Sequence, residues 1–172
     1  WGIESGSQYI LDRMNKKVTV EDNHNVIRWA KKHGITTRAF FILGFPGETK
    51  ETLDETKRFI EDADPDQYFV SKFVPYPGTD VGDNPSKYGI INKSLDYNKY
   101  YQVSKDGTGG DTIDTEWLSR EELRDLELDF RDWLKDRKMR GSLQDYEQPK
   151  EQPNGQYYSA LLQPVGIYAA IS

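Results

Sequence analysis

The sequence predicts an α/β protein whose parallel strands alternate with helices. Three observations favour this class: residues 35–43 and 67–74 are apolar runs of strand length, helical periodicity separates them, and an apolar stub at 1–3 precedes further helical stretches. Strands joined through helices pair in parallel by right-handed crossovers. The order strand, helices, strand, helix, strand therefore indicates three consecutive βα units.

Local signals justify the first elements in order. The stub runs into a helix at 7–14, whose apolar residues share one face. Thr19 and Asp22 form a capping arrangement that begins the second helix, and Gly34 ends it. His33 lies at that helix end, where a partly cationic ring suits the helix dipole, so a capping role is favoured over a catalytic one.

The central strand and the helix after it are the best-marked βα unit. Residues 35–43 pass from β-branched into aromatic and aliphatic residues, and Gly44 begins a turn rich in Gly and Pro. Thr49 can cap the next helix, which has an inward-facing stripe. The stripe consists of Leu53, Thr56, Phe59 and Ile60. The third strand, 67–74, then ends in a stiff Pro-Tyr-Pro-Gly exit.

The remainder of the chain has weaker signals. Residues 80–116 show no sustained periodicity and are predicted to form an irregular, lid-like segment, in which Tyr97, Tyr100 and Tyr101 either cover a pocket mouth or form a packed aromatic patch. A capping box at 119–122 begins an amphipathic helix that runs to about residue 138. The expected divisions are a barrel part at 1–80, a lid and helix at 81–140, and a tail at 141–172 that is partly disordered or docked.

Composition excludes several classes. The 172 residues carry a net charge of -6, a pI near 5.0 and a mean hydropathy of -0.84. The acidic balance argues against a broad nucleic-acid surface and leaves a local RNA contact open. No run approaches the roughly 18 apolar residues of a membrane span, so no membrane contact and a cytoplasmic location are expected. The chain has no cysteine and therefore supplies no thiolate to a metal or a cluster.

Two polar clusters follow predicted strands and indicate one shared site. The first runs from Glu4 to Gln8, and the second is the turn from Gly44 to Thr49. Parallel strands deliver their carboxyl ends to one edge, where backbone amides are still free to bind a ligand. The alternative interpretation makes the second cluster a tight turn with a helix cap and Ser7 a helix N-cap. Neither Glu4 nor Glu48 has a His or a second acid beside it, so general acid–base catalysis is unsupported.

Five motifs in order resemble the radical S-adenosylmethionine superfamily, within it the Elongator-like core domains of cobalamin-binding radical enzymes and methylthiotransferases. They are GIESGSQ at 2–8, LDRMNK at 11–16, the strand start at Gly34, GFPGET at 44–49 and PYPGT at 75–79. The resemblance covers about residues 1–80. It implies a partial (β/α)₆ barrel, of which this chain would hold the C-terminal half from the fourth strand onward.

The resemblance also implies which residues meet S-adenosylmethionine. Glu4, Ser5 and Gln8 would approach its ribose or amino acid part. The fifth-strand contact with adenine and the bordering sixth strand would involve Gly44, Phe45, Pro46, Gly47, Glu48, Val74 and Pro75. In that family, three cysteines of a CxxxCxxC loop hold a 4Fe-4S cluster, which cleaves the cofactor to a 5′-deoxyadenosyl radical. That loop is absent from these residues, so the chain alone is expected to be inactive.

Three hypotheses follow. The leading one is the C-terminal part of a radical S-adenosylmethionine enzyme, partnered by a missing N-terminal half of the same protein and acting on an unidentified small molecule. Cobalamin-dependent methyl transfer is the candidate reaction, and tRNA methylthiolation is less favoured because no basic RNA-binding domain is visible. The alternative is a cluster-free α/β module that binds a nucleoside. The third is a structural remnant that folds only with its missing half.

Overall fold

The computed structural model describes residues 1–100 and 112–135, except for the side chain of Asn98. It confirms the predicted α/β class with a parallel sheet, in the order β1-β2-β3. The strands of this sheet are β1 (Gly2–Glu4), β2 (Arg38–Leu43) and β3 (Gln67–Lys72). The helices are α1 (Gln8–Arg13), α2 (Val20–Lys32), α3 (Lys50–Ala63), α4 (Asp80–Asp83) and α5 (Arg120–Lys135).

Capping residues begin the three long helices, as the sequence predicted. Thr19 and Asp22 form a reciprocal capping box on α2, and Thr49 accepts a hydrogen bond from the Thr52 amide at the start of α3. On α5, the Ser119 amide donates to the Glu122 carboxylate at 2.9 Å, and the Glu122 amide donates back to the Ser119 hydroxyl at 3.2 Å. These local bonds satisfy amides that have no partner within a helix.

The three long helices all pack on one face of the sheet. Alternate strand residues, such as Ile3, Phe41 and Val70, meet helix residues in the main hydrophobic core. The helices contribute Ile27, Leu53, Phe59, Ile60, Phe130 and Leu134. The strand residues between them point to the opposite face, where Phe40 and Phe69 are only half-buried, with their rings 5.7 Å apart. The placement of the three long helices on one face agrees with the wall of a partial β/α barrel, as expected, while Ile10 of α1 packs with Ile42 on the other face.

Residues 80–100 and 112–117 contain more regular structure than the sequence indicated. Strands β4 (Ile90–Lys93) and β5 (Ile113–Thr115) pair antiparallel, and short 3₁₀ helices occupy Pro85–Tyr88 and Tyr97–Lys99. Strands of four and three residues are too short to show a period in the sequence. We call residues 80–100 and 112–117 the extension. The predicted lid residue Tyr101, the predicted helix end near 138 and the predicted tail at 141–172 lie outside the described residues.

A buried ion pair joins the sheet to α5, and no sequence signal predicted it. Lys72 Nζ lies 2.6 Å from Glu127 Oε2, and both side chains are 1% exposed. The other carboxylate oxygen of Glu127 accepts a hydrogen bond from Arg131 Nε at 2.8 Å. Because Glu127 occupies a position of the apolar stripe on α5, its charge needs these partners.

Among the described helices, none is long and apolar enough to cross a membrane.

Candidate functional site

The two predicted polar clusters lie at the same edge of the sheet. β1 pairs in parallel with β2 and β2 in parallel with β3, so all three strands end at one edge. Leu43, the last residue of β2, is opposite Lys72, the last residue of β3. The turn after Leu43 and the exit after Lys72 are therefore neighbours, and Glu4 at the end of β1 faces the same edge.

Glu4 has the features of a ligand-binding carboxylate. It is 4% exposed and has a φ of 67°, a left-handed conformation that non-glycine residues rarely adopt. Its Oε1 accepts a hydrogen bond from Lys16 Nζ at 2.7 Å, and the Lys16 side chain is 28% exposed. Within the described part of the chain, Oε2 is buried and has no hydrogen-bond partner. A buried carboxylate oxygen without a donor is unfavourable, which makes Glu4 a candidate for binding a ligand that donates a hydrogen bond.

Ser7, rather than Ser5, offers the available hydroxyl of the first cluster. Ser5 Oγ lies 3.2 Å from Thr56 Oγ1 on α3 and accepts a hydrogen bond from the Ser7 amide. Ser7 precedes α1, but its side chain does not cap the helix, and its fully buried Oγ has no partner among the described residues. The predicted N-cap role of Ser7 is therefore limited to its backbone. Lys16 also lies beside Glu4, and the sequence reasoning assigned a ligand contact neither to Lys16 nor to Ser7.

Gln8 lies beside the site and connects two helices. Its Nε2 donates to Asp12 Oδ1 at 2.9 Å and to the Val18 carbonyl at 3.4 Å, and its Oε1 accepts from the Val20 amide at 2.9 Å. These bonds occupy the side-chain amide at the junction between α1 and α2. The structure therefore gives Gln8 a role in supporting the cluster, and its predicted contact with a ligand stays a prediction.

Glu48 shapes the turn that follows β2. Its Oε2 accepts a hydrogen bond from the Gly44 amide and its Oε1 one from the Thr52 hydroxyl, each at 2.9 Å. Burial raises the pKa of the Glu48 carboxyl to about 7, although the hydrogen bonds from Gly44 and Thr52 act in the opposite direction. The carboxyl thus closes the turn from inside, and it can be protonated near neutral pH.

The glycines of this turn leave room for the protein's own side chains. The sequence suggested that Gly44 lets a flat ligand approach the backbone, but a Cβ there would overlap the Leu123 side chain of α5. A Cβ on Gly47 would lie 2.5 Å from Arg13 Nε. Both glycines also have positive φ, 82° and 106°. Packing and backbone conformation are therefore sufficient reasons for these glycines, and the predicted approach of a ligand to Gly44 stays a prediction.

Buried apolar residues also lie at this edge, and we call Phe45, Val74 and Pro75 its apolar floor. Phe45 is buried and makes an edge-to-face contact with Phe73, with ring centroids 5.0 Å apart. The Pro46 carbonyl accepts a hydrogen bond from Arg13. Val74 and Pro75 are both buried where the chain leaves β3. The structure thus brings the predicted turn residues and the predicted β3 exit together at one edge, next to Glu4 and Ser7.

This edge does not provide ligands for a metal cluster. No group of three or more His, Asp or Glu side chains suited to a metal occurs in the described ranges, and the whole sequence lacks cysteine. His33 caps α2, with its Nδ1 2.7 Å from the Trp29 carbonyl. The groups at this edge that can contact a ligand are therefore the Glu4 carboxylate, the Lys16 ammonium, the Ser7 hydroxyl and the apolar floor.

Comparisons with known proteins find a family match in the first part of the chain. The family model described as the radical SAM superfamily matches residues 2–60. The chain is 40% identical over 103 residues to the anaerobic magnesium-protoporphyrin IX monomethyl ester cyclase of Rubrivivax gelatinosus. The aligned segment covers 60% of this chain and 18% of that protein.

Two further relatives have names that refer to other activities. A tRNA-2-methylthio-N(6)-dimethylallyladenosine synthase of Ehrlichia ruminantium is 40% identical over 87 residues, or 49% of this chain and 20% of that protein. An uncharacterized methyltransferase of Pyrococcus horikoshii is 34% identical over 106 residues, or 60% of this chain and 22% of that protein. The chain thus spans about a fifth of the length of the curated relatives it matches.

Proposed function

We propose that the sheet edge binds S-adenosylmethionine as part of a radical enzyme, because the family model of the radical SAM superfamily matches residues 2–60. The observation that carries the proposal is the pair of buried atoms without partners, Glu4 Oε2 and Ser7 Oγ, at the ends of parallel strands. Two independent polar atoms in one cluster need a ligand that both donates and accepts hydrogen bonds. The ribose hydroxyls of an adenosyl group have this property.

The neighbouring residues suit the other parts of the cofactor. The partly exposed Lys16 ammonium carries the charge that attracts a carboxylate such as that of the methionine part. The apolar floor formed by Phe45, Val74 and Pro75 suits the flat adenine ring. Glu48 takes part indirectly, because its carboxyl holds the backbone of the turn.

The 4Fe-4S cluster of this superfamily, which supplies the electron for cofactor cleavage, does not fit the residues of this chain. With no cysteine in 172 residues, its three thiolate ligands would have to come from elsewhere. The proposed contribution of this chain is therefore to bind and orient S-adenosylmethionine and to shield it from water. The remainder of a barrel is the proposed partner, and a small molecule is the proposed substrate.

We also propose methyl transfer as the reaction of the whole protein, with cobalamin as a second cofactor. The support is the 34% identity to a relative whose name is methyltransferase. The rival is a cluster-free nucleoside-binding module, which the absence of cysteine favours. Anaerobic assay of the full-length protein for 5′-deoxyadenosine separates the two, because only a radical enzyme releases that product under reducing conditions.

Calorimetric titration of S-adenosylmethionine into the protein tests the binding site directly. We expect Glu4→Gln to weaken binding by about tenfold or more, since a hydrogen bond to a charged group contributes about 1.5–3 kcal/mol. Ser7→Ala should weaken it by roughly fivefold, as expected for one neutral hydrogen bond. Matched controls are Glu21→Gln and Ser86→Ala, because both side chains are exposed.

The titration has three outcomes, and each supports or contradicts the proposed binding site. Loss of affinity in both site variants, with both controls unchanged, supports the assigned edge. Variants that bind as tightly as the wild type would move the cofactor away from Glu4 and Ser7. A wild-type protein that shows no affinity for S-adenosylmethionine would contradict the proposal for this chain.

A further inference from the structure

Arg13 connects three segments that lie far apart in the sequence. Its Nε donates a hydrogen bond to the Pro46 carbonyl at 2.8 Å, and its Nη2 donates to the Tyr88 carbonyl at 3.1 Å. Pro46 belongs to the turn after β2, and Tyr88 ends the first 3₁₀ helix of the extension. One guanidinium on α1 thus bridges the proposed cofactor turn and the extension.

Aromatic rings, rather than an acid, surround this guanidinium. Its central carbon lies 4.7 Å from the ring centre of Trp117 and 5.7 Å from that of Tyr9. No carboxylate within the described ranges forms an ion pair with Arg13, although the chain has 29 acidic residues. A planar group with several N–H donors can meet two carbonyls and a ring together, whereas an ammonium acts as a point charge.

Two glycines make space for this arrangement. A Cβ on Gly47 would lie 2.5 Å from Arg13 Nε, and a Cβ on Gly89 would lie 2.5 Å from the Trp117 ring. One glycine is in the turn and the other is in the extension. The close approach of both segments to Arg13 and Trp117 therefore requires residues without side chains on each side of the bridge.

A second, apolar contact joins the same two segments. Phe73 packs edge-to-face against Phe45 of the turn. It also packs against the small core of the extension, formed by Val81, Ile90 and Ile113. The turn is therefore attached to the extension through a ring contact on one side and through the Arg13 hydrogen bonds on the other.

We propose that Arg13 is a positioning residue that locks the Gly44–Glu48 turn onto the extension, so that ligand affinity at the turn depends on how the extension docks. The effect on affinity rests on the proposed function, whereas the mechanical link is independent of it. Arg13 acts through the Pro46 carbonyl and does not need to touch the ligand.

Hydrogen–deuterium exchange on the ligand-free protein tests the mechanical link. The Glu48 amide bonds the Phe45 carbonyl at 2.9 Å, and the Gly44 amide bonds Glu48, so both amides report on the turn. We expect Arg13→Ala to accelerate exchange at 44–48 and around 89 by about tenfold or more, while α2 and α3 exchange as in the wild type. The matched control is Arg28→Ala, because Arg28 is exposed on α2.

Two further variants distinguish the hydrogen bonds of the Arg13 guanidinium from its charge and from a general loss of folding. They are Arg13→Lys and Trp117→Leu. Lysine keeps the charge but cannot bond both carbonyls, so we expect it to behave like alanine. Trp117→Leu removes the ring and leaves both hydrogen bonds in place, and we expect a smaller acceleration at the same amides. Normal exchange in Arg13→Lys, or uniform acceleration along the whole chain in Arg13→Ala, would overturn the proposal.

Titration of the same variants with S-adenosylmethionine tests the consequence for binding. We expect Arg13→Ala and Arg13→Lys to bind about tenfold more weakly, with Arg28→Ala unchanged. Faster exchange at 44–48 with unchanged affinity would refute the dependence of binding on docking. A wild type that does not bind, combined with the expected exchange pattern, would refute the proposed function and leave the mechanical link standing.

Discussion

The ionisation of Glu48 should make the stability of the protein fall as pH rises from about 4.5 to about 7. Burial raises the pKa of this carboxyl from 4.5 to about 7. Below pH 4.5 the group is protonated in both the folded and the unfolded state, so it contributes no pH dependence. Between pH 4.5 and 7 the folded state binds more protons than the unfolded state, and the free energy of unfolding decreases as pH rises. Above about pH 7 the contribution is again constant.

The size of this effect follows from the two pKa values. A rise in the pKa from 4.5 to about 7 corresponds to about 3 kcal/mol of stability, since one pKa unit is worth roughly 1.4 kcal/mol. Such a loss is a large part of the roughly 5–15 kcal/mol by which domains are stable. Glu48→Gln should remove it, because an amide keeps the acceptor for the Gly44 amide and stays neutral at every pH. Its NH₂ group can donate to Thr52 Oγ1, whose own proton then bonds the Thr49 carbonyl, 3.0 Å away.

Urea unfolding at pH 4.5, 6 and 8 measures the difference. We expect the wild type to lose about 3 kcal/mol more than Glu48→Gln between the lowest and highest pH, with most of the difference appearing by pH 7. Glu121→Gln, at an exposed carboxylate on α5, is the control and should follow the wild type. Parallel pH curves for the wild type and Glu48→Gln would show that the buried carboxyl does not titrate as argued.

The remaining predictions concern packing and capping. Gly44→Val should lose S-adenosylmethionine binding and about 2–4 kcal/mol of stability, because a Cβ at this position overlaps Leu123 and the φ of Gly44 is positive. Chemical unfolding measures the loss, and partial recovery of stability when Leu123→Ala is added would confirm the clash. A Gly44→Val protein as stable as the wild type would contradict it. Glu127→Gln should cost about 3–5 kcal/mol because it leaves Lys72 charged in the core, and a thermal melt unchanged from the wild type would refute that pairing. Thr19→Ala should cost about 1 kcal/mol through the lost cap of α2, measured by helix content and urea midpoint.

The parts that sequence reasoning predicted depend on short-range interactions. The capping boxes at Thr19 and Ser119 join residues three positions apart, so their signals are visible in the sequence. The common edge for Glu4 and the turn after Leu43 followed from one rule, that strands connected through helices run in parallel. The second strand was predicted to begin at 35 but begins at Arg38, because Thr37 instead donates its amide and hydroxyl to the Asp66 carboxylate.

The sequence by itself determined the α/β class, the starts of the long helices, the sheet edge that the two polar clusters share and the family resemblance of its motifs. Only the tertiary structure decided which atoms at that edge lack partners, why Gly44 and Gly47 are glycines, and that Arg13 bridges to Tyr88, 75 residues away. The physical reason is that caps and turns are made within a few residues of chain, whereas burial, ion pairing and close packing depend on segments that folding brings together.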